Sequence, residues 1–175
     1  MPISSGSTVL FIAFPSFDAP GLIAWTQFRD SIARGLDALD PSLTDRTLAR
    51  ASSPERPVGI WRMLASNHRE IARSARVYPS FDTARGAVTE LQLTVEPLEI
   101  RTFHGPTSST HGWAALASGR AVITCARWYE TASASQEAAA SSIAAFQHAS
   151  VAASSARKAS TARERRDAPL AVRAW

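Results

Sequence analysis

Apolar and polar positions along this chain follow two alternating periods. Thr8–Phe14 is an almost continuous apolar run, short enough for a buried strand. Pro15–Gly21 reads as a turn, with Ser16 and Asp18 as candidate helix N-caps. Leu22, Trp25, Phe28, Ile32, Leu36 and Leu39 then recur every three or four residues, one stripe on a helix of about five turns. Asp40-Pro41 stops it. Arg46–Ala51 reads as a weak strand and Ser52–Gly59, with Pro54 and Pro57, as a loop. Ile60–Ser66 and Glu70–Tyr78 read as strands joined by a tight turn at Asn67–Arg69. Pro79–Thr83 opens a helix carrying Ala84, Ala87, Val88 and Leu91 on its apolar side. Leu93–Phe103 reads as extended, with Leu98 and Ile100 opposed to Glu99 and Arg101. After the polar loop His104–Gly112 come strand Trp113–Ser118, a turn at Gly119 and strand Ala121–Tyr129. An Ala-rich helix from about Ser133 includes Ile143 and Phe146, and its helical propensity extends past Ala149. The remaining Ala, Ser and Arg predict frayed helix or disorder.

The second half of this pattern repeats the first. With one gap at the turn, Trp61–Tyr78 aligns with Trp113–Tyr129 at 17 positions, and eight are identical. They are Trp61/Trp113, Leu64/Leu116, Ala65/Ala117, Ser66/Ser118, Arg69/Arg120, Ala75/Ala126, Arg76/Arg127 and Tyr78/Tyr129. The unit is therefore β-β-β-α, over residues 46–92 and 98–147. A shorter echo joins Phe14-Pro15-Ser16-Phe17-Asp18 to Tyr78-Pro79-Ser80-Phe81-Asp82, so residues 8–39 read as a degenerate copy reduced to its last strand and helix.

The run Leu64-Ala65-Ser66-Asn67-His68-Arg69-Glu70-Ile71-Ala72-Arg73-Ser74 followed by Tyr78 resembles the YegP-like family of small tandem-repeat proteins, a domain of unknown function. Leu116-Ala117-Ser118-Gly119-Arg120-Ala121-Val122 followed by Tyr129 carries the same resemblance. Two departures stand out. His68 occupies the place of the turn glycine, and the second copy reduces the family's Asn-Gly-Glu to Gly119-Arg120. The resemblance covers about residues 46–147. It implies one antiparallel sheet with helices packed on one face, and it implies no established activity.

The division expected is a strand-helix extension over 1–45, a first module over 46–97, a second over 98–150 and a basic tail over 151–175. The fold class expected is α+β, with tandem β-β-β-α modules forming an antiparallel sheet. No apolar run approaches the ~20 residues that span a bilayer, and no basic residue precedes the run at Val9–Phe14 as a signal peptide requires. Cys125 is the only cysteine, so no intrachain disulfide can form and a reducing cytoplasm is the expected setting. The net charge of +4 is uneven. Residues 1–150 hold 13 Arg against 13 acidic residues, and the excess lies in Arg157, Lys158, Arg163, Arg165, Arg166 and Arg173.

Candidate chemistry is sparse. Arg76 and Tyr78 lie two apart on a strand and share a face, as do Arg127 and Tyr129; Ser74 and Cys125 continue those faces. Each pair reads either as a grip for an anion or aromatic ligand or as a packed tyrosine with arginine across it. Trp61, Trp113 and Trp128 read as core rather than as stacking platforms. His104 and His111 flank a Ser/Thr loop, with His68 and His148 elsewhere, and their spacing matches no zinc motif. Cys125, with Ser at the equivalent position, reads as a small buried residue rather than a nucleophile. No phosphate-loop, dinucleotide or Gly-x-Ser-x-Gly motif occurs. Glu96 and Glu99 read as solvated. Arg157, Lys158, Arg163, Arg165 and Arg166 form the nucleic-acid candidate. The leading expectation is a non-enzymatic binding or assembly module without cofactor or membrane contact, meeting a protein partner or another copy of itself. The alternative is nucleic-acid binding through the tail and the sheet aromatics, and a weaker one is an enzyme around Arg76 and Arg127.

Overall fold

The computed structural model describes residues 6–39 and 58–157. Its elements in chain order are β1 (Thr8–Phe14), α1 (Pro20–Leu39), β2 (Val58–Leu64), β3 (Glu70–Ser74), α2 (Phe81–Leu93), β4 (Glu99–His104), β5 (His111–Ala117), β6 (Arg120–Cys125), α3 (Ala132–Gln147) and β7 (Ser150–Arg157). The strands form one sheet in the order β4-β5-β6-β3-β2-β1-β7. All neighbours are antiparallel except β1 and β7, which are parallel, so the fold is α+β on a mixed sheet.

The sheet is nearly two-fold symmetric about the β3–β6 pair. Arg73 faces Thr124, which is its own equivalent, while Ala72 faces Cys125 and Ser74 faces Ile123. Both hairpins carry a bulge at matching places, where Ile71 is skipped opposite Met63–Leu64 and Val122 opposite Ala115–Leu116. A bulge adds one residue to a strand and bends it. The turns differ in length, as the single gap in the alignment requires. Ser118 and Gly119, at φ 50° and 74°, make a two-residue turn, whereas His68 takes φ 62° at the end of a three-residue loop. The histidine in the glycine's place thus adopts a glycine-like conformation. The helices start alike too: the Ser80 hydroxyl accepts from the Thr83 amide, and the Thr131 hydroxyl from the Ala134 amide.

Register decides which side chains share a face. Phe11 and Trp61 are opposite one another, and they meet Phe81 of α2 and Phe146 of α3 respectively. The other face takes Phe14, Val58 and Ile60, which cluster with Leu22 and Trp25 of α1. Further along α1, Arg73 lies 5.2 Å over Phe28, and Gly35 rests against Phe103. α2 and α3 therefore share one face, and α1 crosses the other. In the α1 stripe Leu22, Trp25, Ile32 and Leu36 are buried.

Beside β2 lies β1, in the place that β4 holds beside β5. The Pro15–Asp18 echo predicts a last strand and its helix here; β1 instead has the sheet position of a first strand. The weak strand expected over Arg46–Ala51 lies outside the described residues. The expectation of frayed helix or disorder beyond Ala149 is corrected for residues 150–157, which form β7. Two causes end the helix. Gln92 of α2 donates to the Phe146 and Ala149 carbonyls at 2.8 and 3.0 Å, fixing the C-terminus of α3. The outer edge of β1 then offers ladder partners, beginning with Ser150 N–H to the Ser7 carbonyl at 3.0 Å. Tertiary pairing overrides alanine's helix propensity here. Among the described residues no helix is long and apolar enough to cross a membrane.

Two glycines give opposite predictions. Gly35 is near the C-terminal end of α1, where an added Cβ would collide with the Phe103 ring and lie 3.1 Å from the His104 carbonyl oxygen. Gly86 is in the middle of α2 with nothing within 4 Å of an added Cβ. Urea unfolding of Gly35→Ala is expected to show a loss of about 1–3 kcal/mol. Gly86→Ala is expected to gain about 0.5–1 kcal/mol. Shifts of the same sign in both variants would refute the close approach of α1 to β4.

Candidate functional site

The two Arg/Tyr pairs are positioned by one backbone device, used twice. After Ser74 the chain leaves the ladder, and it returns at Tyr78, which exchanges hydrogen bonds with Gly59 at 2.7 and 2.8 Å. The Trp61 amide, without a ladder carbonyl across from it, donates to the Ser74 hydroxyl at 3.3 Å. Tyr129 likewise exchanges bonds with His111 at 2.8 and 2.9 Å, and the Trp113 backbone lies beside the Cys125 thiol. Ser74 and Cys125 are both fully buried at the joints of their strands, which accounts for a small hydrogen-bonding residue at each.

The equivalence ends at the side chains. Tyr78 is buried, and burial raises its phenol above the ordinary value, offset in part by the Trp61 indole and the Arg76 charge. Trp61 Nε1, though near, makes no hydrogen bond of acceptable geometry. Arg76 and Tyr78 line a cleft of about 290 Å³ between the end of α2, the α2–β4 connection and the β5–β6 turn. Glu90 and Thr94 come from the helix end, Glu96 from the connection and Ser118 from the turn. Ala87, Leu91, Leu98 and Val122 supply apolar walls. Arg127, by contrast, is exposed and lies 5.1 Å over the half-buried Tyr129 ring, so the second pair closes on itself. Neither Arg127 nor Tyr129 lines the cleft.

The other candidates separate clearly. Trp61 and Trp113 are fully buried in the interior, and Trp128 is half-buried, packed against Phe28 and Phe103. The Cys125 thiol is enclosed and pushed up to about 11, chiefly by burial, with hydrogen bonding to the Trp113 backbone opposing it. A buried thiol that ionises so late is a poor nucleophile near neutrality. Of the basic cluster only Arg157, the last residue of β7, lies among the described residues. Lys158, Arg163, Arg165 and Arg166 fall outside them. No group of three or more His, Cys, Asp or Glu stands close enough to hold a metal among the described residues.

Glu90, Thr94, Glu96 and Ser118 are cleft residues that sequence reasoning missed. No spacing links them, because three separate elements bring them together. Only the Arg76–Tyr78 half of the site is a local pattern. No protein-family model matches the chain, and no curated protein or solved structure matches it either.

Proposed function

We propose that this chain is a non-catalytic binding module that receives a short segment of a partner protein in the Arg76–Tyr78 cleft. The observation that carries the reading is the cleft of about 290 Å³ itself, which Arg76 and Tyr78 line together with residues of α2, the α2–β4 connection and the β5–β6 turn. Size admits a peptide: at about 290 Å³ the cleft stands at the lower end of the roughly 300–1,000 Å³ of ligand pockets and holds one or two amino-acid side chains. Its lining favours the same ligand. Arg76 and Ser118 present donors, Glu90 and Glu96 present acceptors, and Leu91 and Leu98 flank them. A peptide offers backbone carbonyls, amides and a side chain to such a surface.

The tandem-module layout and the YegP-like resemblance belong to this reading, with β1 as the first strand of the first module. A reducing, cytoplasmic setting belongs to it as well, on the single buried cysteine. Selection of a displayed random-peptide library on the full chain tests it. Enriched peptides are expected to lose about 10–100-fold in affinity against Arg76→Ala, as for the loss of a charged hydrogen bond, while Arg127→Ala binds as before. Equal binding by both variants, or a library that enriches nothing, refutes the cleft. Retention of nucleic acid that weakens steeply with salt would move the function to the basic tail.

A further inference from the structure

The geometry points to a second site: we propose that His104 and His111 together chelate one divalent transition-metal ion of the kind that prefers imidazole, such as Zn²⁺, Ni²⁺ or Cu²⁺. The two residues are directly opposed on β4 and β5. Their neighbours Gly105 and Thr110 are joined by an amide–carbonyl bond at 2.7 Å. Alternation along an antiparallel ladder then makes His104/His111 a non-hydrogen-bonded pair, the kind with the closer side chains. The ring centres are 4.8 Å apart and the planes tilted by 47°.

That separation suits one shared ion. With metal–nitrogen distances of about 2.0–2.1 Å, an ion lies roughly 3.2 Å from each ring centre. Ligand angles of about 90–109° then place the centres roughly 4.5–5.2 Å apart. The observed value falls inside this range without any movement of the strands. His104 is exposed and His111 half-buried, so an ion has a path to both.

The pair is also held in place. The loop between the strands closes on itself through Thr110 N–H to the Thr107 carbonyl at 3.1 Å and a Thr107–Thr110 hydroxyl contact at 3.0 Å. On its far side His111 is bonded at both backbone groups to Tyr129. Fixed backbones of this kind preorganise ligands. In the first copy the matching cross-strand row is Ala13, Gly59 and Tyr78, which holds no imidazole, so the site is particular to the second. The chain supplies two ligands, and water or another donor fills the remaining positions. Imidazole favours zinc, nickel and copper over magnesium or calcium.

Calorimetric titration of the full chain with Zn²⁺ and with Ni²⁺ tests the site. One equivalent is expected per chain, with affinity falling at least about tenfold in His104→Ala and in His111→Ala. The His68→Ala/His148→Ala double variant is expected to bind as the parent does, and circular dichroism confirms that each variant is folded. Equal binding by the parent and both single variants would overturn the proposal, as would the absence of any ion uptake by the folded parent. A loss confined to the double variant would place the ion elsewhere and overturn it too.

Discussion

Truncating Trp61 to alanine is expected to cost about 3–5 kcal/mol. Trp61 is fully buried and stacks on Phe146 with ring centres 5.5 Å apart and planes 25° from parallel. It sits on β2, while Phe146 belongs to α3, so one ring contact joins the first half of the sheet to the helix of the second. The loss includes a cavity term, because Trp61 belongs to a core cluster in which Met63, Ala72 and Val88 are also fully buried. Domains of this size are stable by about 5–15 kcal/mol in all, so the variant is left marginal. Urea unfolding followed by circular dichroism reads the loss. Trp128→Ala is the comparison, since that ring is only half-buried and should cost less. Equal losses in the two variants would show that the Trp61–Phe146 stack does not join the halves.

What the sequence foretold follows from how local each feature is. The paired tryptophans and the turns at Asn67–Arg69 and Gly119 lie inside the aligned runs and act within a few residues. The alignment of the two runs therefore points to them directly. The α1 stripe was legible for the same reason, though the stripe cannot say which face of the sheet it will cover. That depends on register between β1 and β2, a contact across more than forty residues of chain. β7 was hidden more thoroughly. Ser150–Arg157 is made of Ser and Ala apart from Val151 and the terminal Arg, with no alternation to mark a strand. Its pairing is dictated by the open edge of β1, at the other end of the sequence. The candidate site divides in the same way. Arg76 and Tyr78 are two apart on one chain segment and were visible, whereas Glu90, Glu96 and Ser118 meet them only because α2 and the β5–β6 turn converge. His104 and His111 are seven apart in sequence, a spacing without meaning until a hairpin makes them neighbours.

The second large effect is expected from pH rather than from truncation: stability should fall between about pH 9 and pH 11. Cys125 ionises at about 11 in the folded protein, against an ordinary 9.0, because burial disfavours the thiolate. The sign follows from proton counting. Between those values the unfolded chain has already released the thiol proton and the folded chain has not, so the unfolded state binds fewer protons and rising pH favours it. The contribution is complete below pH 9 and is lost as pH climbs through 11. A displacement of this size is worth about 2–3 kcal/mol. Tyr78 adds in the same direction above its own ordinary value of 10.0, since burial raises it too. Few other side chains titrate in this window, as the chain has one lysine and two tyrosines. The Cys125→Ser variant isolates the thiol. Ser74 shows that a hydroxyl fits the equivalent joint and accepts the tryptophan amide there, so the variant is expected to fold and to lose the Cys125 share of the alkaline slope. Urea midpoints measured from pH 8 to pH 11 decide the matter. An unchanged slope in the serine variant would show that the thiol is not as deeply enclosed as its place between β3 and β5 requires.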